Sequence, residues 1–152
     1  MKKALFAGSF DPFTRGHQSI VDRTLAIADE VVVAIGCNAN KRTMLTLEQR
    51  IEAIEQLYAG EPRVKVMAYD GLTTDFAASV DATFLVRGVR NIADFEFEKN
   101  IADVNRKLAG IETVLLVTES EYSHISSSIV RELMSYGKDV TPFLPEGMEL
   151  GD

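Results

Sequence analysis

Short apolar runs alternate with amphipathic stretches along the whole chain. The runs are rich in β-branched residues, which is typical of buried strands. They predict strands at residues 3–7, 30–36, 63–68, 82–86 and 113–117. In the intervening segments apolar residues recur at the spacing of one helix face. These segments predict helices at residues 16–28, 73–79, 92–108 and 126–135, and a further helix that Thr46 and Gln49 cap at its start.

Strands that alternate with helices predict an α/β fold, namely a Rossmann-like, doubly wound, five-stranded parallel sheet in a single domain over residues 1–152. No internal repeat, low-complexity tract or linker divides the chain. Ligands of such sheets bind beyond the carboxyl ends of the strands, where the strand order reverses. We therefore expect the segments after strands one, two and four to meet at one edge of the sheet.

The segment between strand one and helix one, residues 8–17, has the composition of a phosphate-binding turn. Its glycines allow backbone N–H groups and a positive helix end to approach a phosphate. Thr14-Arg15-Gly16-His17 adds an imidazole at the helix start, where His17 can contact the phosphate directly. The alternative is an ordinary turn with a capping Thr14 and a surface His17. The Asp11-Pro12 pair and a second motif near the carboxyl terminus favour the phosphate site.

Two arginines are predicted to follow strand four directly, in the segment Arg87-Gly88-Val89-Arg90. Guanidinium groups on either side of a glycine suit bidentate phosphate binding with close backbone approach. The alternative is a pair of solvated loop arginines. Lys41 adds a further cation after strand two.

The long fourth helix places Glu98 and Asn105 on one face, because they are seven residues apart. Polar groups in an apolar stripe need partners, and functional and structural roles are equally consistent with the pattern. Phe95 and Phe97 are interpreted as core residues.

Three serines, Ser126, Ser127 and Ser128, open the last helix, and Arg131 follows one turn later. Hydroxyls and free N–H groups at a helix start form an anion site. Plain capping, the alternative, needs only one of the serines. Taken by itself, His124 is interpreted as a surface residue.

Composition and charge narrow the class of partner. The 152 residues carry 16 basic and 23 acidic side chains, a net charge of −7, which argues against nucleic acid or an anionic membrane as a partner. No apolar run is long enough for a membrane span and no signal peptide is visible. The single cysteine, Cys37, excludes an intrachain disulfide and fits a reducing cytosol. No cysteine and histidine cluster has zinc spacing, so no protein-held metal site is expected.

Taken in order, these motifs resemble the phosphopantetheine adenylyltransferase family of the nucleotidyltransferase superfamily. The superfamily is marked by a Thr/His-x-Gly-His motif and an Ile-Ser-Ser-x motif, which here are residues 14–17 and 125–128. Arg87-Gly-x-Arg90, the helix Asp94-Phe-Glu-Phe-Glu98 and Asn105 narrow the resemblance to this family. The match extends from residue 3 to about residue 146.

The resemblance implies that AMP is transferred from ATP to 4′-phosphopantetheine, giving dephospho-coenzyme A and pyrophosphate. It also implies Mg²⁺, held mainly by the ATP phosphates, and a homohexamer built from two trimers in the bacterial cytoplasm. The implied catalytic residues are Ser9, His17, Lys41 and Arg90. The implied ATP contacts are Ser9, Phe10, His17, Gly88, Val89, Arg90, Glu98, Tyr122, Ser123, His124, Ile125, Ser126, Ser127 and Ser128. The implied phosphopantetheine contacts are Ser9, Lys41, Leu72, Thr73, Arg87 and Asn105.

Three departures from the family pattern affect details. Ser9 stands where threonine is common, which keeps the hydroxyl, and Phe97 stands where tyrosine is common, which removes a phenol. The sequence ends at Asp152, earlier than in many relatives, so we expect a final helix to be brief or missing.

An acceptor of this type explains why so few catalytic residues are visible. A phosphomonoester is mostly a dianion at neutral pH, so it needs no general base to attack the α-phosphorus of ATP. It needs positioning and relief from charge repulsion. We expect Lys41 and Arg87 to position it, and His17 and Arg90 to stabilise charge on the α-phosphate and the pyrophosphate.

Three other functions are weighed against this one. Another enzyme of the superfamily would transfer AMP or CMP to nicotinate mononucleotide or glycerol phosphate, but the paired glycines and two histidines usual in the nicotinate enzymes are absent from the first turn. A non-catalytic nucleotide-binding module would not need both the Gly16-His17 motif and the Ser126–Ser128 motif to be intact. A fragment of a class I aminoacyl-tRNA synthetase would not be expected to be this short and acidic.

Overall fold

A computed structural model describes residues 1–38 and 40–151 of the chain. Within these residues, five strands alternate with five α-helices, and two short 3₁₀ turns follow the last strand. The strands are β1 (Lys3–Gly8), β2 (Glu30–Gly36), β3 (Val64–Tyr69), β4 (Phe84–Val89) and β5 (Glu112–Val117). The helices are α1 (Arg15–Thr24), α2 (Leu47–Leu57), α3 (Thr73–Ser79), α4 (Ile92–Ala109) and α5 (Ser127–Ser135). The 3₁₀ turns are Ser120–Tyr122 and Thr141–Phe143.

All five strands lie in one parallel sheet with the order β3-β2-β1-β4-β5. The chain moves outward from β1 through β2 to β3, then crosses back to β4 beside β1. The order therefore reverses between β1 and β4, which is where ligands of such sheets bind. The predicted α/β class and the five-stranded parallel sheet are confirmed.

The sheet is covered on both faces because successive strand side chains point in opposite directions. Ala4 and Phe6 of β1 pack with α1 and α2 in one core cluster. Leu5 and Ala7 of the same strand pack with α3 in another. A third, smaller cluster joins Val130 of α5 to the tail beyond it.

The end of β4 differs from the prediction. The strand was expected to stop at Val86, yet Arg87, Gly88 and Val89 continue it and pair with Leu115, Leu116 and Val117 of β5. The apolar run ends at Val86, but the backbone ladder with β5 does not. Gly88 lets α1 pack closely here, since a Cβ at this position would lie 3.2 Å from the Ile20 side chain, which would have to shift.

Helix α1 is shorter than predicted and ends at Thr24 rather than at residue 28. Thr24 is fully buried, and its hydroxyl donates to the carbonyl of Ile20.

The interpretation of Phe95 and Phe97 as core residues is wrong, because their side chains are exposed. Helix α4 covers the sheet with the face that carries Glu98, and these phenylalanines lie outside that face. Cys37, directly after β2, is exposed.

Among the described residues, no helix is both long and apolar enough to cross a bilayer.

Candidate active site

A cavity of about 290 Å³ opens at the carboxyl ends of β1 and β4, where the strand order reverses. Its walls come from the turn after β1, from the end of β4 and from the start of α5. Ten of the predicted site residues line it: Ser9, Phe10, His17, Arg87, Gly88, Arg90, Glu98, Ile125, Ser126 and Ser127. The fold thus brings together motifs that lie more than a hundred residues apart in the sequence.

His17 is held by the cap at the start of α1. The Thr14 side chain accepts from the His17 backbone N–H at 3.4 Å, and the Thr14 backbone N–H donates to His17 Nδ1 at 3.0 Å. Because Nδ1 accepts this bond, the ring proton of the neutral imidazole must be on Nε2. The ring is therefore fixed as a hydrogen-bond donor through Nε2.

Burial keeps the His17 ring neutral. Desolvation, together with the positive charges of Arg87 and then Arg90, lowers the pKa of His17 from about 6.5 to about 3. Phe10 and Phe13 pack against the imidazole with ring centroids 5.0 and 5.3 Å away. At neutral pH the ring can donate one hydrogen bond without carrying charge.

Ser9 and Lys41 meet although they belong to different connecting segments. Lys41 Nζ donates to Ser9 Oγ at 2.8 Å, which is possible because β1 and β2 are neighbours in the sheet. The segment after β2 is fastened to the first turn by Asp11, whose buried carboxylate accepts the backbone N–H groups of Met44 and Leu45, both at 2.8 Å.

Arg87 and Glu98, predicted to bind different substrates, form an ion pair with each other. Arg87 Nε and Nη2 donate to the two carboxylate oxygens of Glu98 at 2.9 and 2.8 Å, and Nη1 donates to the Ala7 carbonyl at 2.6 Å. The anion beside Arg87 in this structure is thus the carboxylate of Glu98. Arg87 is thus the partner that was expected for Glu98, a polar residue on this face of α4.

Arg90 is oriented by the start of α4. Both its Nε and its backbone N–H donate to Asp94 Oδ2, at 2.9 and 3.0 Å. Burial alone would raise the pKa of Asp94, but these bonds and the charge of Arg90 hold the pKa below its usual value. Arg90 is therefore paired with a carboxylate that stays ionised at neutral pH.

The three serines of the last motif have three different partners. Ser126 caps α5 by accepting the Ile129 N–H at 3.2 Å, and the Ser127 hydroxyl donates to the Pro12 carbonyl at 2.8 Å. Ser128 Oγ accepts from Arg131 Nη2 at 3.1 Å, while Arg131 Nη1 donates to the Asp11 carbonyl at 2.8 Å. Ser127 and Arg131 thus fasten the start of α5 to the turn after β1.

Several predicted ATP contacts lie outside the lining of this cavity. Tyr122, Ser123 and Ser128 are close in sequence to Ile125, which lines the cavity, but they do not line it themselves. His124 is exposed, as the sequence indicated, and its ring lies 6.2 Å from that of Phe143. Val89 is buried in β4.

A second cavity of about 230 Å³ lies between the sheet and α4. Thr73 and Asn105 line it, as do Arg87 and Glu98, which also line the first cavity. The two cavities are therefore neighbours that share this ion pair. Leu72, at the start of α3, is exposed and does not line either cavity.

Sequence reasoning missed one buried residue beside the site. Arg50 of α2 donates from Nη1 to the carbonyls of Ser9 and Gly36, at 2.9 and 3.2 Å. Its spacing from Ala53, Ile54 and Leu57 put it on the buried face of α2, and an arginine on such a face was the available signal.

The sequence matches the cytidylyltransferase-like family over residues 5–133. It is 61% identical over 150 residues to a protein of Phocaeicola vulgatus, with 99% of each chain covered. It is 57% identical over 152 residues to one of Porphyromonas gingivalis and 49% identical over 150 residues to one of Flavobacterium johnsoniae, again with 99% of each chain covered. All three relatives are named phosphopantetheine adenylyltransferase.

Solved structures with low sequence identity share the fold. A bifunctional NMN adenylyltransferase/ADP ribose pyrophosphatase from Francisella tularensis, crystallised with AMP and a manganese ion, superposes with a TM-score of 0.73 at 14% identity. The superposition covers 99% of this chain and 46% of that one. A Vibrio parahaemolyticus protein described as a nicotinate-nucleotide adenylyltransferase gives a TM-score of 0.65 at 18% identity, covering 95% and 94% of the two chains.

Proposed function

Since the chain belongs to the phosphopantetheine adenylyltransferase family, we propose that the cavity between β1 and β4 is the site of the family's reaction. The reaction transfers AMP from ATP to 4′-phosphopantetheine and releases dephospho-coenzyme A and pyrophosphate. The observation that carries the assignment of the site is the meeting of His17, Arg90 and Ser126 around one cavity where the strand order reverses.

The chemistry requires little from the protein beyond position and charge. An acceptor oxygen bonds to the α-phosphorus of ATP, and the bond from that phosphorus to the leaving pyrophosphate breaks. The second pKa of a phosphomonoester is about 6, so the acceptor is already a dianion at neutral pH. No proton has to be removed from it. Catalysis then depends on bringing two anions together in line and on stabilising the departing charge.

The acceptor phosphate is assigned to the edge formed by Ser9, Lys41 and Arg87. The Lys41 ammonium is already bonded to the Ser9 hydroxyl, so both donors point to one place. Arg87 is fixed by Glu98 and lines both cavities, which suits a contact at their junction. The pantetheine arm is assigned to the second cavity, where Thr73 and Asn105 are available and Leu72 lies at the start of the adjacent helix.

The ATP phosphates are assigned to the side lined by His17, Arg90 and the start of α5. His17 Nε2–H would donate to the α-phosphate, and the N–H groups at the start of α5 would bind the pyrophosphate. Further ATP contacts are proposed for the remaining predicted residues, namely Ser9, Phe10, Gly88, Val89, Glu98, Tyr122, Ser123, His124, Ile125, Ser126, Ser127 and Ser128.

Mg²⁺ is proposed to enter with ATP as the Mg²⁺–ATP complex. The carboxylates that line the first cavity, Asp11, Asp94 and Glu98, each accept hydrogen bonds from protein N–H groups. This supports phosphate oxygens as the main ligands of the ion. Bound in that complex, Mg²⁺ neutralises charge on the phosphates.

A homohexamer in the cytoplasm is proposed from the family resemblance. Helix α4 supports self-association, because Phe97, Ile101, Val104 and Leu108 form an exposed apolar stripe at helical spacing. Exposed apolar residues that adjoin one another on one helix face are typical of an interface between subunits.

The direct test is pyrophosphate release by the purified protein with ATP or CTP and a panel of phosphate acceptors. We expect release with ATP and 4′-phosphopantetheine, and a product with the mass of dephospho-coenzyme A. Faster release with nicotinate mononucleotide or glycerol phosphate would assign the chain to another member of the superfamily. ATP binding without release would favour a non-catalytic module.

A further inference from the structure

Arg50 of α2 is a buried cation that none of the roles above uses. Its side chain is 5% exposed, and none of the ion pairs among the described residues includes it. Its buried Nε also has no hydrogen-bond partner among those residues. Removing a charge from water is costly, and buried charges are normally paired. Arg50 therefore differs from Arg87 and Arg90, whose charges are balanced by Glu98 and Asp94.

The bonds that Arg50 does make join the ends of two neighbouring strands. Its Nη1 donates to the carbonyl of Ser9, directly after β1, at 2.9 Å. The same nitrogen donates to the carbonyl of Gly36, the last residue of β2, at 3.2 Å. Both carbonyls lie at the edge of the sheet where the acceptor phosphate is assigned.

The two segments joined by Arg50 carry two of the three groups assigned to that phosphate, and Arg87 of β4 is the third. The Ser9 hydroxyl belongs to the first, and Lys41, which donates to that hydroxyl at 2.8 Å, lies in the segment that follows Gly36. The acid of the first turn, Asp11, is already bonded to the backbone N–H groups of Met44 and Leu45. Because none of the ion pairs among the described residues balances Arg50, its charge can favour an anion bound at Ser9 and Lys41.

We infer that Arg50 is a positioning residue for the acceptor phosphate. It holds the Ser9 peptide against the end of β2 so that the Ser9 hydroxyl and the Lys41 ammonium stay together, and its charge favours the phosphate that they bind. The inference rests on the proposed function, because it assumes that the acceptor phosphate binds at Ser9.

The test is a double-mutant cycle that measures whether Arg50 acts through Ser9. Arg50→Lys keeps the charge and is expected to fold, but an ammonium group cannot reproduce the geometry of a guanidinium. We expect R50K to lower kcat/KM for 4′-phosphopantetheine about tenfold at saturating Mg²⁺–ATP, mainly through KM. The kcat/KM of the R50K/S9A double variant should lie within about threefold of that of S9A alone, because the effects of mutations at coupled residues are not additive.

Arg23→Lys is the matched control. Arg23 Nη1 also donates to a carbonyl at the end of a strand, that of Val117 at 2.8 Å, but Arg23 lines neither of the two cavities assigned to the substrates. R23K should keep the wild-type kcat/KM, and the melting temperature of each variant reports folding separately.

Three outcomes overturn the inference. The first is that R50K and R23K have the same kcat/KM, and the second is that R50K has a lowered melting temperature but a normal kcat/KM. The third is that the losses of kcat/KM in R50K and S9A multiply in the double variant, which would show that the two residues act independently. A wild-type protein that releases no pyrophosphate from ATP and 4′-phosphopantetheine would instead contradict the proposed function.

Discussion

At the scale of single residues, His17 shows how a helix cap determines a side chain's chemistry. The same Thr14 that caps α1 fixes the ring tautomer, since its backbone N–H occupies Nδ1. The aromatic surroundings and the neighbouring arginines then keep the ring neutral. The outcome is a donor at Nε2 whose state does not change over the physiological pH range.

The first prediction is that His17→Ala lowers turnover and leaves the fold intact. Loss of one donor to charge that develops in the transition state typically lowers kcat by about 10²–10³. We expect a loss of that size in pyrophosphate release at saturating substrates, with an unchanged circular dichroism spectrum. A near-normal rate would refute the proposed role.

The second prediction concerns stability against pH. The pKa of His17 is about 3 in the folded chain and about 6.5 when unfolded, so below pH 6.5 the unfolded chain binds the extra proton. The neutral ring's contribution to stability is therefore complete above pH 6.5 and is lost as the pH falls from 6.5 towards 3. Urea unfolding should show a loss of up to about 1.4 kcal/mol per pH unit in this window. H17A should lack this part of the slope, and identical slopes in the two proteins would contradict the prediction.

At the scale of elements, a buried carboxylate of α4 forms an ion pair with the sheet. Glu98 is buried and accepts both bonds from Arg87, which in turn donates to the carbonyl of Ala7 in β1. The sequence predicted that Glu98 and Asn105 share a face, because helical spacing alone determines this. It did not predict that Arg87 is the partner of Glu98, since that depends on β4 continuing past Val86 and on where α4 crosses the sheet.

The third prediction is that Arg87→Ala weakens acceptor binding and also destabilises the fold. Loss of one partner of a fully buried pair costs about 3–5 kcal/mol. The Arg87 side chain is 38% exposed, so we expect a smaller loss, about 2 kcal/mol. KM for 4′-phosphopantetheine should rise about tenfold, the effect of losing about 1.4 kcal/mol of binding free energy.

Two comparisons test the cause of the R87A effects. The R87A/E98A double variant should be more stable than R87A alone, because it leaves no unpaired buried carboxylate. Arg63→Ala breaks an equally bidentate pair with Glu61 that is exposed, and it should change neither property. An unchanged KM in R87A would remove Arg87 from the proposed acceptor site.

At the scale of the whole molecule, the sheet order explains both what could be predicted and what could not. Alternating strands and helices determine the fold class, and the rule for parallel sheets then brings the three phosphate-binding segments to one edge. Contacts made at this edge, such as Lys41 with Ser9 and the start of α5 at Ser127 with Pro12, depend on the strand register, which the hydrophobic pattern does not report. The prediction that Phe97 is a core residue was wrong for another reason. It assigned an apolar face of α4 to the core, although the face that carries Glu98 is the one that covers the sheet.

The exposed stripe on α4 leads to the last prediction, which concerns assembly. Val104 is 61% exposed at the middle of the stripe, so in a lone chain Val104→Glu should cost little. In an interface between subunits the new carboxylate would be buried without a partner, which is strongly unfavourable. Light scattering should therefore show a smaller species for V104E with an unchanged circular dichroism spectrum, while Val104→Ile, which stays apolar, should keep the wild-type mass. If V104E has the same mass as wild type, this stripe is not the contact, and any hexamer must form through another surface.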